Sequence, residues 1–318
     1  MSNFQTENNA LGKTLGAKHK PENDKPRSLK RIVWNSFRRH KPAMVGLTII
    51  AILVLAAVFA PIITPYEPEK TDLDTILAPP SREHLMGTDE LGRDLLTRLL
   101  YGGRISLVIG VMAMALAVTL GTVVGGLAGF YGGWVDNLLM RLVDMMLAFP
   151  SLFILVILAL ALRDLPIEAL RGTAFASVFS IVLVIAVLSW MSVARLVRAS
   201  FLSIKEREFI LAARCVGTPN VWIMVRHMFP NAISPIIVAA TFRVATSVIT
   251  ESGLSYLGFG VQPPTPTWGN MLKNAQAQMT RAPWTAIFPG LMIFVTVIAI
   301  NFIGDGLRDA FDPRKVDR

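Results

Sequence analysis

Residues 105–130 read ISLVIGVMAMALAVTLGTVVGGLAGF, a stretch of 26 residues without a charged side chain. About 20 residues of α-helix are enough to cross the roughly 30 Å hydrocarbon core of a bilayer. Because that core holds no water to bond the peptide groups, a crossing segment must satisfy them internally, as a helix does. The stretch therefore predicts a membrane-spanning helix.

Five further runs of the same kind flank this stretch. Of the 318 residues, 53% are hydrophobic and only 17% are charged, whereas soluble domains carry about 25% charged residues. The apolar residues are gathered into runs, and the mean hydropathy is +0.52. The composition argues against an ordinary cytosolic enzyme, and the runs predict an all-α membrane protein with six transmembrane helices. The other five runs cover residues 43–63, 145–162, 172–194, 229–250 and 282–304.

Glycines recur every four residues along the second run, at Gly121, Gly125, Gly129 and Gly133. Small residues at this spacing let two helices approach closely in lipid. We expect this glycine stripe to serve tight packing within the chain. A subunit interface or a moving surface is the alternative.

The fifth run contains one charge, Arg243. An arginine at the centre of a span costs about 3 kcal/mol, which nearly cancels the gain from the aliphatic residues of this run. We therefore expect Arg243 to face the bundle interior or a water-filled path.

The basic residues predict the orientation, because cytoplasmic loops are enriched in Lys and Arg. With the N-terminus inside, 20 of the 31 Lys and Arg residues fall on the cytoplasmic side and nine on the other side. Both termini are therefore expected in the cytoplasm, and the net charge of +9 does not require a nucleic acid partner. The predicted segments are a disordered tail over 1–27, an amphipathic interfacial helix or ordinary basic flank over 28–42, a transmembrane domain over 43–310 and a tail over 311–318.

The sequence offers no constellation for catalysis or metal binding. The single cysteine, Cys215, excludes a disulfide framework within the chain, and the four histidines lack the spacing of a metal site. No Ser/His/Asp arrangement can be placed on one aqueous face. We expect no catalytic residues, no metal and no cofactor.

Residues 205–230 form a polar loop between the fourth and fifth runs, on the predicted cytoplasmic side. Residues 209–216 suit a short helix, and Gly217 suits the left-handed position that ends one. Thr218 can cap a second helix with Pro219 at its first position, and Pro230 then marks the entry to the next span. The pattern predicts a helix–turn–helix elbow, a shape suited to docking a partner.

This elbow resembles that of the inner-membrane permease subunits of binding-protein-dependent ABC importers. Their pattern is Glu-Ala-Ala, a Gly four residues after the second Ala, and Ile-x-Leu-Pro beginning ten residues beyond the Gly. The spacing matches throughout, but Leu occupies the Glu position, and His and Phe replace Ile and Leu. The corresponding residues are Leu211-Ala212-Ala213, Gly217 and His227-Met228-Phe229-Pro230.

Three other stretches narrow the resemblance to the C-type permease of the dipeptide/oligopeptide branch. In combination with the elbow they make the resemblance specific over about residues 28–315. The stretches are residues 87–94 with 102–107, residues 251–260 with Trp268-Gly269, and residues 301–310 near Asp312-Pro313.

The resemblance implies a type I ABC importer permease fold in a bacterial or archaeal cytoplasmic membrane, in contact with membrane lipid. Six helices of this chain would pair with six of a second related permease, which we expect to be a different chain. Two ATP-binding cassette ATPase subunits would dock on the elbows and hydrolyse ATP, so that the permease is no enzyme. An extracytoplasmic solute-binding protein would deliver the solute, di- or oligopeptides.

The resemblance also implies roles for individual residues. The residues predicted to couple to the ATPase are Leu211, Ala212, Ala213, Arg214, Gly217, Thr218 and Pro219. The alternative is that they serve helix packing or form a solvated cationic face. The predicted outer gate or binding-protein dock, for which a loop-stabilising turn is the alternative, consists of Gly87, Asp89, Arg93 and Asp94. The predicted translocation path includes Arg243 and Glu251. The alternative is that these two residues form a structural pair, or that Arg243 contacts a carbonyl.

Other functions stay open from the sequence. Nickel, glutathione or another small solute is the alternative within the same importer class. A secondary carrier or a channel is the alternative of a different class, and it would need no ATPase partner. A secondary carrier would require titratable groups within the spans, for which Arg243 and Glu251 are the main candidates.

Overall fold

The computed structural model describes residues 29–163 and 174–312, and these residues form helices and no strand. The predicted tail over 1–27 lies outside the described residues, as does most of the tail over 311–318. The prediction of an all-α membrane protein is confirmed. The α-helices, numbered α1 to α11 in chain order, are Leu29–Arg39, Lys41–Val58, Ala60–Ile63, Leu95–Tyr131, Gly133–Ala148, Ser151–Arg163, Ala174–Lys205, Glu208–Cys215, Asn220–Leu257, Trp268–Ala275 and Trp284–Phe311.

Five of the described helices, α2, α4, α7, α9 and α11, are long and apolar enough to cross a membrane. The bent pair of α5 and α6 gives a sixth crossing when it is taken as one span. The run over 145–162 predicts one membrane-spanning helix, but it is divided between α5 and α6, which meet at 93°. The bend lies at Phe149, which has φ −88° and ψ 143°. Pro150 follows it, and proline disfavours the helical conformation in the residue before it.

The helix α4 begins ten residues before the uncharged run that predicts it. Its first turns contain Arg98 and Arg104, so a search for uncharged residues excludes them. Asp94 marks the true beginning, because its side chain accepts a hydrogen bond from the backbone N–H of Thr97. Such a cap satisfies one of the N–H groups that the first turn leaves free. The helix therefore extends beyond the hydrocarbon and into the outer loop.

The helix α1 is separate from the first span rather than a continuous basic flank. His40 divides α1 from α2, and its Nδ1 accepts a hydrogen bond of 3.2 Å from the N–H of Ala43. Phe37 is buried where α1 meets α11, beside Gly306. The location of α1 at the membrane surface stays a prediction. The span α2 ends five residues before the first run does, where a proline begins α3.

The helices α4 and α7 lie in close contact along the glycine stripe. A methyl group at Gly125 would overlap the backbone of Ala194 in α7. At Gly121 and Gly129 it would approach Cβ atoms of α7 within 2.7 Å. Gly133 does not belong to this contact, because nothing lies within 4 Å of its added Cβ. Three of the four glycines thus serve packing within the chain, as expected.

Replacing Gly125 by Val should destabilise the protein, because α7 has no room for the side chain. We expect the free energy of unfolding to fall by about 1–3 kcal/mol, the usual cost of overpacking. The matched control is Gly126→Ala, whose added methyl would lie 3.4 Å from the nearest atom, in the side chain of Phe201. Thermal unfolding of the detergent-solubilised protein measures both. Equal unfolding temperatures for Gly125→Val and Gly126→Ala would contradict the close contact.

Candidate functional site

The elbow between α7 and α9 consists of α8, a tight turn and the start of α9. The N–H of Gly217 bonds to the carbonyl of Arg214 at 2.9 Å, and the N–H of Thr218 bonds to that of Ala213 at 3.0 Å. These two bonds form the Schellman motif that ends many helices. Gly217 has φ +80°, a left-handed conformation that favours glycine. The prediction that Gly217 ends the first helix of the elbow is confirmed.

The second helix of the elbow differs from its prediction. The expectation that Thr218 caps it is wrong, because Pro219 occupies the cap position and no side chain bonds to the helix start. Thr218 instead gives its N–H to the preceding turn. Pro230 marks the entry to the fifth span, as predicted, because it lies in the first turn of the α-helical part of α9, Phe229–Leu257. A π-helical segment over Ile223–Met228 precedes this proline, which has no N–H to contribute to a regular helical ladder.

One face of the elbow is buried against the spans. Ile210 of α8 and Ile223 of α9 have no exposed surface and belong to a core shared with α7. The Lys205 ammonium donates a hydrogen bond of 2.7 Å to the carbonyl of Phe130, at the end of α4. The guanidinium of Arg214 lies 5.6 Å from the centre of the Phe130 ring. The elbow is therefore fixed to α4 as well as to the helices that it connects.

The opposite face of the elbow is exposed and largely apolar. Val216 is 85% exposed, Val221 63%, Trp222 55% and Leu211 52%. Contiguous exposed apolar side chains mark interaction sites on protein surfaces. Among the predicted coupling residues, Ala213 and Thr218 are half-buried, whereas the exposed ones are Leu211, Ala212, Arg214, Gly217 and Pro219.

A buried network of charges holds the loop before α4, called the outer loop after its predicted location. The Asp89 carboxylate accepts hydrogen bonds from the backbone N–H groups of Leu91 at 2.9 Å and Arg93 at 3.0 Å. It also pairs with the Nε atoms of Arg93 at 2.7 Å and Arg98 at 3.3 Å. Arg98 donates a further bond of 2.8 Å to the carbonyl of Pro68. Buried charges are tolerated when they are paired in this way.

Asp94 and two glycines complete the frame of the outer loop. Asp94 accepts a bond of 2.8 Å from the N–H of Thr97 and lies 2.9 Å from Nδ1 of His84. Gly87 and Gly92 have φ +78° and +71°, and a side chain at either would overlap the loop backbone. All four predicted outer-gate residues are buried. The three charged side chains and the left-handed backbone of Gly87 hold the shape of the loop, so any partner must contact their exposed neighbours.

Glu251, predicted for the translocation path, is fully buried. Its carboxylate accepts hydrogen bonds from the hydroxyls of Ser255 at 2.7 Å and of Ser106, in α4, at 3.2 Å. The oxygen of Ser106 in turn accepts the N–H of Trp268 at 3.3 Å, at the start of α10. Glu251 therefore joins α4, α9 and α10 inside the chain.

Arg243 is half-buried in the middle of α9 and forms no ion pair within residues 29–163 and 174–312. The alternative of a structural pair with Glu251 is wrong, because Glu251 is bonded to serines. Arg243 is thus a cation within a span without a countercharge from the described part of the chain. In those same residues no group of three His, Cys, Asp or Glu side chains is arranged to hold a metal.

Two ion pairs between α5 and α7 were not anticipated from the sequence. Arg198 bonds to both carboxylate oxygens of Asp136, at 2.5 and 2.6 Å, and Arg195 pairs with Asp144 at 2.5 Å. Two arginines three residues apart just before the elbow indicated that acidic partners would lie nearby. Their partners lie in the bent third span, however, and a straight helix would have placed them elsewhere.

Removing the carboxylate of Asp89 should destabilise the outer loop, because Arg98 then stays buried without an ion-pair partner. We expect Asp89→Ala to lower the free energy of unfolding by about 3–5 kcal/mol. The control is Glu90→Gln, which loses only a partly exposed pair with Arg93, worth about 1 kcal/mol or less. Thermal unfolding and limited proteolysis of the loop measure both variants. Equal effects would show that the network is not the frame of the loop.

Two family models match the chain. One, described as a binding-protein-dependent transport system inner membrane component, matches residues 121–317, which is more than half of the chain and includes the elbow. The other, described as the N-terminal TM domain of oligopeptide transport permease C, matches residues 28–80, which include α1 and α2.

Whole-length relatives agree with these models. The dipeptide transport system permease protein DppC of Alkalihalophilus pseudofirmus is 42% identical over 284 residues, 89% of this chain and 90% of the relative. The glutathione transport system permease protein GsiD of Escherichia coli is 42% identical over 282 residues, 88% of this chain and 89% of the relative. The same figures hold for the protein of that name from Shigella boydii. The chain therefore belongs to the inner-membrane components of binding-protein-dependent transport systems, as a C-type ABC permease of the dipeptide/oligopeptide importer family.

Proposed function

We propose that this chain forms one half of the translocation pathway of an ATP-driven importer of di- or oligopeptides. The names of its relatives support a peptide solute, since one is a dipeptide permease and another a permease for glutathione, itself a small peptide. Glutathione is therefore the leading alternative within the class, ahead of nickel or another small solute. The chain itself carries out no catalysis in this proposal.

The observation that carries the proposal is that the elbow has one face buried against the spans and one exposed apolar face. Its inner face is packed on α7, and Arg214 lies over the ring of Phe130 at the end of α4, so that a push on the elbow moves the spans. Its outer face presents apolar side chains around Leu211, Val216 and Trp222 for which the described residues give no cover. An ATPase subunit docked there would convert its own closure into a change of the pathway. Such coupling requires contacts that differ between two states.

The proposed assembly contains two ATPase subunits, one second permease of a different sequence and one extracytoplasmic binding protein. The excess of Lys and Arg supports cytoplasmic locations for the elbow and for both termini, and hence an outer location for the loop before α4. That loop exposes Leu73, Ile76 and Leu85, which supports a dock for the binding protein. Purification from native membranes in mild detergent, with the subunits counted, tests this composition. A lone homo-oligomer that moves solute without ATP would contradict it.

Arg243 is proposed to meet the C-terminal carboxylate of the peptide as it passes. The guanidinium has no carboxylate partner within the described chain, and a span tolerates such a charge when it lines a water-filled path. Glu251 is proposed to be a structural residue, because its oxygens are bonded by serines from two elements.

Replacing Gly217 by Trp should abolish uptake without preventing membrane insertion. The left-handed backbone at this position is unfavourable for tryptophan. No atom lies within 4 Å of an added Cβ, so no neighbouring group would stabilise the new side chain. We expect solute uptake in whole cells to fall at least tenfold, to the level of the empty membrane. The matched control is Gly217→Asn, because asparagine tolerates this conformation. Normal uptake by Gly217→Trp would refute the coupling role of the elbow.

Replacing Arg243 by Gln should lower the maximal uptake rate of peptides about tenfold, the effect of losing one charged hydrogen bond. The reconstituted importer is measured with saturating binding protein, so that capture of the solute does not limit the rate. Peptides with an amidated C-terminus should show no difference between wild type and Arg243→Gln.

The companion variant Glu251→Gln should keep ATP-dependent uptake. Loss of proton-coupled uptake in Glu251→Gln, with no requirement for ATP in the wild type, would favour a secondary carrier.

A further inference from the structure

A groove on the surface between α2 and α4 is lined by apolar side chains except at one end. Its volume is about 330 Å³, and it is bordered by Val54 and Val58 of α2 and by Val108, Val111 and Met112 of α4. All five side chains are exposed within the chain. In a membrane such a surface must be covered by acyl chains or by protein.

Arg104 lies at one end of this groove and is its only charged lining residue. Its Nε and Nη2 atoms donate hydrogen bonds to the carbonyls of Ala57 and Val58, where α2 ends. Those carbonyls are neutral acceptors, and within residues 29–163 and 174–312 no carboxylate pairs with Arg104. The ring of Tyr101 lies 4.8 Å below the guanidinium. The side chain is thus fixed in place while its charge stays uncompensated.

With the N-terminus in the cytoplasm, on which this inference rests as part of the proposed function, the groove end with Arg104 lies at the outer boundary of the hydrocarbon. The span α2 has 18 residues, which gives it a length of about 27 Å, close to the thickness of the core. Its first residue, Lys41, belongs to the cytoplasmic flank, so its last residue, Val58, reaches the opposite interface. An arginine and a tyrosine at this depth occupy the zone in which lipid headgroups lie.

We propose that the groove binds one phospholipid of the outer leaflet, with the phosphate on Arg104 and an acyl chain along the valines and Met112. Charge complementarity selects this occupant, because an apolar groove with a fixed cation at the headgroup level matches a molecule with an anionic head and an apolar tail. The site is independent of the transported solute and of the elbow. Its ligand is recognised by its phosphate and acyl chains, which different phospholipids share.

The test titrates the delipidated importer complex with two probes and counts bound molecules by native mass spectrometry. Dioleoyl phosphatidylglycerol carries the phosphate, and dioleoylglycerol has the same acyl chains without it. We expect the phospholipid to bind at least tenfold more tightly than dioleoylglycerol, and this preference to disappear in Arg104→Gln. Because Arg104→Gln also loses the bonds to α2, a second variant, Val108→Trp, fills the groove and leaves those bonds intact. The matched control is Val123→Trp, an exposed valine elsewhere on α4.

Tenfold weaker phospholipid binding by Val108→Trp, with wild-type binding by Val123→Trp, would support the site. Equal binding of the two probes by the wild type, or unchanged binding by Val108→Trp, would overturn it. The other occupant to exclude is the second permease. Crosslinking from Val108→Cys, made in a Cys215→Ser background, tests this. A crosslink to the second permease would show that protein covers the groove and would overturn the proposal.

Discussion

The close contact between α4 and α7 is the constraint on which the rest of the structure depends. It exists because Gly121, Gly125 and Gly129 present no side chain to α7. Helix α4 carries the frame of the outer loop at one end and receives Lys205 at the other. Helix α7 continues into the elbow. The two surfaces proposed to meet partners are thus connected by one helix pair, which has no room to be filled with larger side chains.

Polar groups are concentrated at the ends of this helix pair and are paired there. Asp89 holds two arginines at the outer end, and Arg198 holds Asp136 near the elbow. Within the spans the charges are fewer and have different partners, since Glu251 is bonded by hydroxyl groups and Arg243 has no carboxylate partner among residues 29–163 and 174–312. A bilayer favours this distribution, because an unpaired charge in hydrocarbon is costly unless it reaches water or a ligand.

Sequence reasoning predicted the number and type of spans well, because apolar runs report directly on the thickness of the bilayer. It failed where a proline bent a span at Phe149 and where arginines hid the first turns of α4. The left-handed Gly217 was predictable from its neighbours, whereas the partners of Glu251 were not. Ser106 lies 145 residues away along the chain, and a contact at that separation depends on the whole packing.

The unbroken helix α9 has a mechanical consequence. Its 38 residues form a rod of about 57 Å that begins in the elbow and ends at the turn before α10. A tilt of only about 10° at the elbow end would displace the far end by roughly 10 Å, because the displacement grows in proportion to the length of the helix. Helix α9 can therefore act as a lever arm that pivots at the π-helical turn near its elbow end. A small movement of the elbow would become a large one at the opposite end of the span.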